Sequence, residues 1–167
     1  LTRARVNAEL VSEGEYRDAL LRDLGEMRDL ITDLLESERL VAGHTALQTE
    51  RVDLAALVHE VAEASFAGRE LHFDIADGIG PVTADPTRLR LLLRNLIDNA
   101  LRHSAGAAEA PTVFLSRGDD GLFVLGVRDH GPGVSDEQLQ RLAEPFYRAD
   151  SARTRSAGGV GLGLYLC

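Results

Sequence analysis

VTADPTRLRLLLRNLIDNALRHS, residues 82–104, decides how this chain is read. Asp85 followed by Pro86 is a helix-start signal. The short acidic side chain can cap free amides of a first turn, and proline sets a helical φ where no amide donor is needed. Leu89, Leu92, Leu93, Leu96, Ile97, Ala100 and Leu101 then recur at three- and four-residue spacing, which makes one buried stripe. Asn95 and Asn99, four apart, share a face beside that stripe, and Arg102 and His103 continue the polar strip. A solvated helix face explains the asparagine pair by itself. Asparagine is, however, a poor mid-helix residue, because its side chain competes for nearby backbone groups. An amide oxygen also suits magnesium, which prefers oxygen ligands and shares itself between protein and phosphates.

Working outward, Ser104–Pro111 is a small-residue loop. TVFLSRG and GLFVLGVRD then read as two strands joined by a turn at Gly118–Gly121, an antiparallel hairpin. The second strand ends in VRDHGPG (Val127–Gly133). An ionised carboxylate only accepts hydrogen bonds, so Asp129 could take one from the exocyclic amine of adenine and would oppose the carbonyl of guanine. Gly131 and Gly133 permit close backbone approach; an ordinary turn is the plain alternative. Ser135 is positioned to cap a short helix through Leu142. Arg148, Arg153 and Arg155 follow among small residues, a flexible basic loop. GGVGLGL (Gly158–Leu164) then leads into GLYLC, which looks like a helix beginning. A glycine loop running into a helix start points free amides at an anion, with a simple hinge as the competing explanation.

Upstream, LHFDIAD (Leu71–Asp77) alternates as a strand. Asp53 is placed to cap the amphipathic helix LAALVHEVAEASF. Before that, Leu20, Leu24, Met27, Ile31, Leu34 and Val41 recur at near-heptad spacing, widened by Leu21, Leu30 and Leu35. A turn is expected at Gly14. So wide a stripe on a small helical hairpin asks for a second copy of the chain.

Composition narrows the classes. The chain has 167 residues, a net charge of -9 and 44% hydrophobic content: one domain with a packed core and a helical appendage. The acidic balance argues against nonspecific nucleic-acid binding, although a local arginine cluster can still hold a nucleotide. Cys167 is the one cysteine, so no internal disulfide forms and a reducing compartment fits. No apolar run approaches the roughly 20 residues that span a bilayer, and no signal-peptide pattern opens the chain. A cytoplasmic location is therefore expected, with membrane attachment only through other parts of a parent protein.

Four stretches then combine. RNLIDNALRHS, VRDHGPG, EPFYRAD (Glu144–Asp150) and GGVGLGL resemble, in family order, the N box, first glycine box, F box and second glycine box of sensor histidine kinases. The resemblance covers Arg51–Cys167. It implies an α+β fold, a two-layer α/β sandwich of the gyrase and histidine-kinase ATPase type, with a mixed, largely antiparallel sheet covered on one face by helices and preceded by an α-helical hairpin. It divides the chain into a dimerisation hairpin (1–46), a linker (47–51) and an ATP-binding catalytic domain (52–167) that stops inside the helix after the second glycine box.

The resemblance also implies ATP and Mg2+ as ligands. Asn99 would ligate magnesium and Asn95 would support the metal and phosphates. Arg102 would contact phosphate, and His103 would lie near the nucleotide. Asp129, with Gly131 and Gly133 in its loop, would bind the adenine amine. Phe146 would anchor a lid over roughly Val134–Gly161. Gly159, Gly161, Leu162, Gly163 and Leu164 would line the phosphates.

The implied activity is protein-histidine kinase, with phosphoryl transfer to a histidine and then to an aspartate on a response-regulator receiver domain, in a homodimer built through the hairpin. The phosphoacceptor histidine is not in the chain and would lie upstream of Leu1, so no catalytic residue is expected here and the fragment is not expected to phosphorylate itself. His59–Glu60 imitates a His-Glu pair but lacks the Leu-Arg-x-Pro sequel and reads as structural. Two other functions stay open: a non-catalytic dimerisation or regulatory module that kept the nucleotide fold, and a gyrase-like hydrolytic ATPase. The second would need a general base where Asn95 stands.

Overall fold

The computed structural model describes residues 47–145, 147, 163–165 and 167, and upstream residues 16, 17, 20, 21, 24, 25, 27, 31 and 35. Those upstream positions are helical, and Leu20, Met27, Ile31 and Leu35 of the expected seam are exposed. The turn expected at Gly14, and Leu30, Leu34 and Val41, lie outside the described residues. None of the described helices is long and apolar enough to cross a membrane.

The order of elements is β1 (Glu50–Val52), α1 (Leu54–Phe66), β2 (His72–Ile75), β3 (Val82–Ala84), α2 (Pro86–His103), β4 (Thr112–Arg117), β5 (Phe123–Arg128) and α3 (Asp136–Leu139). Among the described residues the strands form two sheets, β1–β3 and β2–β4–β5. β2 runs parallel to β4, whereas β4–β5 and β1–β3 are antiparallel. The core lies between α1 and α2 on one side and β4 on the other. Leu57, Val58 and Val61 of α1, Leu93, Ile97 and Leu101 of α2, and Val113 and Leu115 of β4 fill it. β4 alternates, burying Val113 and Leu115 while Thr112 and Phe114 face the other way. Each fully buried aliphatic side chain is worth roughly 1.5–3 kcal/mol. This is the expected α+β two-layer arrangement with a mixed sheet.

Local chemistry starts both long helices where the capping residues stand. The Ala56 amide donates to Asp53 Oδ1 at 3.0 Å. The Thr87 and Arg88 amides donate to Asp85 Oδ1 at 3.0 and 3.2 Å. Of the α2 stripe, Leu93, Ile97, Ala100 and Leu101 are buried, and Leu89 packs partly buried against the core. Leu92 and Leu96 are half-buried. Across the two helices, Arg90 donates to Glu60 from Nε and Nη2, at 3.0 and 3.2 Å. The β4–β5 turn closes as Gly118 donates to the Leu122 carbonyl at 2.8 Å, with Gly121 at φ +81.

The structure departs from the sequence reading at several places. Gly163, Leu164 and Tyr165, expected to begin a helix, are turn, and Val82–Ala84, not read as a strand, is one. Glu50 and Arg51, the end of the expected linker, are strand rather than connection. They pair with Ala84 and Thr83, and the Gln48 amide donates to the second oxygen of Asp85 at 3.0 Å. One buried carboxylate thus caps α2 and fastens the segment that enters the domain. The short helix ends at Leu139, not Leu142. Its start carries a capping box between Ser135 and Gln138. Its end tightens into turns, with Arg141 donating to Gln138 and Leu142 to Leu139. Leu139 is exposed, so no apolar face is buried to reward a further turn.

Candidate functional site

α2 is the spine of the site. Asn95 and Asn99 are half-buried along one flank, one turn and a little more apart. The Asn95 amide nitrogen is buried and, among the described residues, has no hydrogen-bond partner. Beside this residue lies Gly163: a Cβ built there would meet Asn95 Oδ1 at 3.7 Å and its Cβ and Cγ at 3.8 Å. The end of the second glycine stretch therefore lies so near the first asparagine that an added methyl would touch it. Leu164, next to it, is half-buried. Farther along, Arg102 forms an ion pair with Asp98 on the helix surface, and both Arg102 and His103 are exposed.

The first glycine stretch meets the C-terminal end of the same helix. A Cβ on Gly131 would sit 2.8 Å from the His103 carbonyl oxygen, 3.1 Å from His103 Cβ and 2.9 Å from Asp129 Oδ1. No side chain fits there. The Gly131 amide donates to Asp129 Oδ1 at 2.9 Å, which turns the loop back on its own aspartate and leaves that side chain exposed. Gly133 holds φ +75, a region that glycine enters freely. The contacts at Asn95 and His103 are eight residues, or about 12 Å of helix, apart. That length is comparable to a base-to-phosphate span.

The structure therefore brings Gly131 beside His103 and Gly163 beside Asn95 on one helix, with Asn99 between the two contacts and Asp129 tied to Gly131. Phe146, Gly159, Gly161 and Leu162 lie outside the described residues, as do Arg148, Arg153 and Arg155. Among the described residues, no group of three His, Cys, Asp or Glu side chains is placed to hold a metal ion. The two asparagines offer neutral amide oxygens on this face, beside the Asp98 carboxylate that pairs with Arg102. That donor set fits a hard cation completing its shell with phosphate and water, and the orphaned Asn95 nitrogen is a donor in want of an acceptor.

Two features were not legible beforehand. Ser104 is buried at the end of α2, and its hydroxyl accepts the His130 amide at 2.9 Å. The His130 ring lies 3.6 Å from a Glu109 carboxylate oxygen. Both join the α2–β4 loop to the loop after β5, and neither leaves a mark in local periodicity. A separate groove of about 300 Å3 between α1 and α2 is lined by residues including Glu60, Thr87, Arg90 and Arg94. It shares no residue with the asparagine face.

The family model described as histidine kinase-, DNA gyrase B-, and HSP90-like ATPase matches residues 84–167. The chain is 37% identical over 156 residues to the signal transduction histidine-protein kinase BaeS of Escherichia coli (strain K12), covering 89% of this chain and 32% of that protein. It is 36% identical over 154 residues to the sensor histidine kinase CpxA of the same organism, covering 92% and 31%. A solved structure of full-length ShkA in complex with AMPPNP aligns with a TM-score of 0.76 at 29% identity, over 99% of this chain and 35% of that one. The chain thus spans about a third of the length of the curated relatives it matches. With the four ordered motifs, two glycine stretches seated on one asparagine-bearing helix and these matches, the chain belongs to the histidine kinase-, DNA gyrase B- and HSP90-like ATPase family.

Proposed function

We propose that this chain is the Mg-ATP-binding part of a sensor histidine kinase. In the parent protein the γ-phosphoryl group would pass to a histidine outside this chain, and then to a response-regulator aspartate. The observation that carries the reading is the seating of both glycine stretches on α2, Gly163 against Asn95 and Gly131 against His103. The sensor-kinase relatives and the AMPPNP complex of ShkA support the same conclusion.

In this reading Asp129 accepts from the adenine amine, and the exposed carboxylate discriminates against a guanine carbonyl. Asn99 and Asn95 hold magnesium through their amide oxygens. Gly159, Gly161, Leu162, Gly163 and Leu164 cradle the phosphates through backbone amides, Arg102 adds charge, and His103 flanks the nucleotide. Phe146 anchors the lid. The bound metal supplies neutralisation of phosphate charge. The protein's contribution is positioning of the phosphoryl group and exclusion of water. Asn95 cannot take a proton from water, which favours transfer over the gyrase-like hydrolytic reading. Residues 1–46 would form the dimerisation hairpin and 52–167 the catalytic domain, working in the cytoplasm with any membrane anchor elsewhere in the parent.

The test is calorimetric titration of the chain with Mg-ADP. Asp129→Asn should weaken binding of the adenine nucleotide, and Asn99→Ala should reduce its magnesium dependence. Unchanged affinity in both variants would overturn the assignment.

A further inference from the structure

The loop that carries Asp129 is not an independent turn. The two residues after that aspartate, His130 and Gly131, lie against the end of α2. The Ser104 amide closes the helix on the Ala100 carbonyl at 2.9 Å. The Ser104 hydroxyl then accepts the His130 amide at 2.9 Å, a contact between residues 26 apart in sequence. Ser104 is only 8% exposed, so water does not readily replace it. The His130 N–H and the Asp129 C=O belong to one rigid peptide plane. Pinning that N–H holds the peptide after Asp129 and, with it, the position of the Asp129 Cα from which the side chain leaves the backbone. Gly131 pressed against the His103 carbonyl holds the loop from the other side.

We propose that Ser104 is a positioning residue for adenine recognition, setting the Asp129 carboxylate relative to the helix that bears Asn95 and Asn99. The proposal rests on the nucleotide reading above. Without the hydroxyl, the His130 amide is left without its partner beside the helix end, and the loop must move to satisfy it. That movement displaces the base-reading carboxylate more than it disturbs the phosphate end at Gly163.

The experiment titrates the full chain with Mg-ADP and Mg-GDP. Ser104→Ala should weaken ADP binding about tenfold, the scale of a hydrogen bond lost with its donor left buried, while GDP binding changes little, so the ADP:GDP preference falls. Ser104→Thr, which keeps a hydroxyl, should restore the preference. In an Asp129→Asn background, Ser104→Ala should add almost nothing, because the two act through one contact. Should Ser104→Ala fail to fold, Ser104→Cys keeps the volume, weakens the acceptor and carries the same expectation at smaller size. Equal losses for ADP and GDP, additive losses in the double variant, or wild-type behaviour overturn the proposal. If Asp129→Asn itself leaves ADP binding untouched, the assignment of Asp129 to the adenine amine fails and the proposal falls with it. A loss at Asp129→Asn with none at Ser104→Ala overturns the proposal alone.

Discussion

Replacing Gly131 with alanine should cripple nucleotide binding while leaving the fold intact. Gly131 is not among the glycines with positive φ, so its backbone conformation is open to alanine and the effect is steric. The new methyl would lie 2.8 Å from the His103 carbonyl oxygen, 2.9 Å from Asp129 Oδ1 and 3.1 Å from His103 Cβ. Two of those atoms belong to the last turn of α2, which cannot yield without fraying. The loop must yield instead, and the third atom is the carboxylate proposed to read the base. Overpacking of this kind costs about 1–3 kcal/mol, equivalent to roughly 5- to 150-fold in affinity if it is relieved by displacing the loop. The core at Leu93, Ile97, Val113 and Leu115 is not involved. If instead the cost fell on the folded state, the melting temperature would drop by about 2–4 °C per kcal/mol. Gly133→Ala is the control. It meets no atom within 4 Å but must hold φ +75, so it introduces backbone strain without touching the aspartate. Titration with Mg-ADP beside a thermal melt separates the two. Wild-type affinity for Gly131→Ala, or a larger binding defect in Gly133→Ala, would refute the reasoning.

Three other outcomes are expected. The Gln48 amide, followed by those of Arg88 and Thr87, holds Asp85 below its ordinary pKa of 3.8 against the opposing effect of burial. A carboxylate depressed in the folded state stabilises fully above its unfolded value and loses that contribution as the pH falls through the folded one. Melting temperature should therefore fall below about pH 4, with a shallower acid decline in Asp85→Asn; parallel declines would count against the triple anchor. Leu93→Ala, at a fully buried position facing α1 and β4, should destabilise by about 2–5 kcal/mol, read from urea denaturation; less than 1 kcal/mol would mean the core is not packed as described. Asn99→Ala should leave nucleotide binding without metal nearly unchanged and remove most of the gain on adding magnesium. An equal loss in both conditions would reassign Asn99 to the nucleotide itself.

The helices and the β4–β5 hairpin could be read from the chain because their causes are local. Asp53 and Asp85 cap amides two or three residues away. The α2 stripe repeats with the turn of the helix, and the Gly118–Gly121 reversal needs its residue types within four positions. The motif order likewise announced the family to which the chain belongs. The β1–β3 ladder, the Gln48–Asp85 anchor and the Ser104–His130 tether could not be read this way. They join residues 26 or more apart, and a three-residue strand shows no periodicity of its own. Burial also decided which leucines of the stripe became core and where α3 stopped, because that depends on what the opposite layer leaves to cover. Sequence alone determined the parts of this protein and the chemistry each could offer. Tertiary packing determined that Gly131 comes to the C-terminal end and Gly163 to the middle of one helix, since the distance between remote segments is set by the core that both rest on.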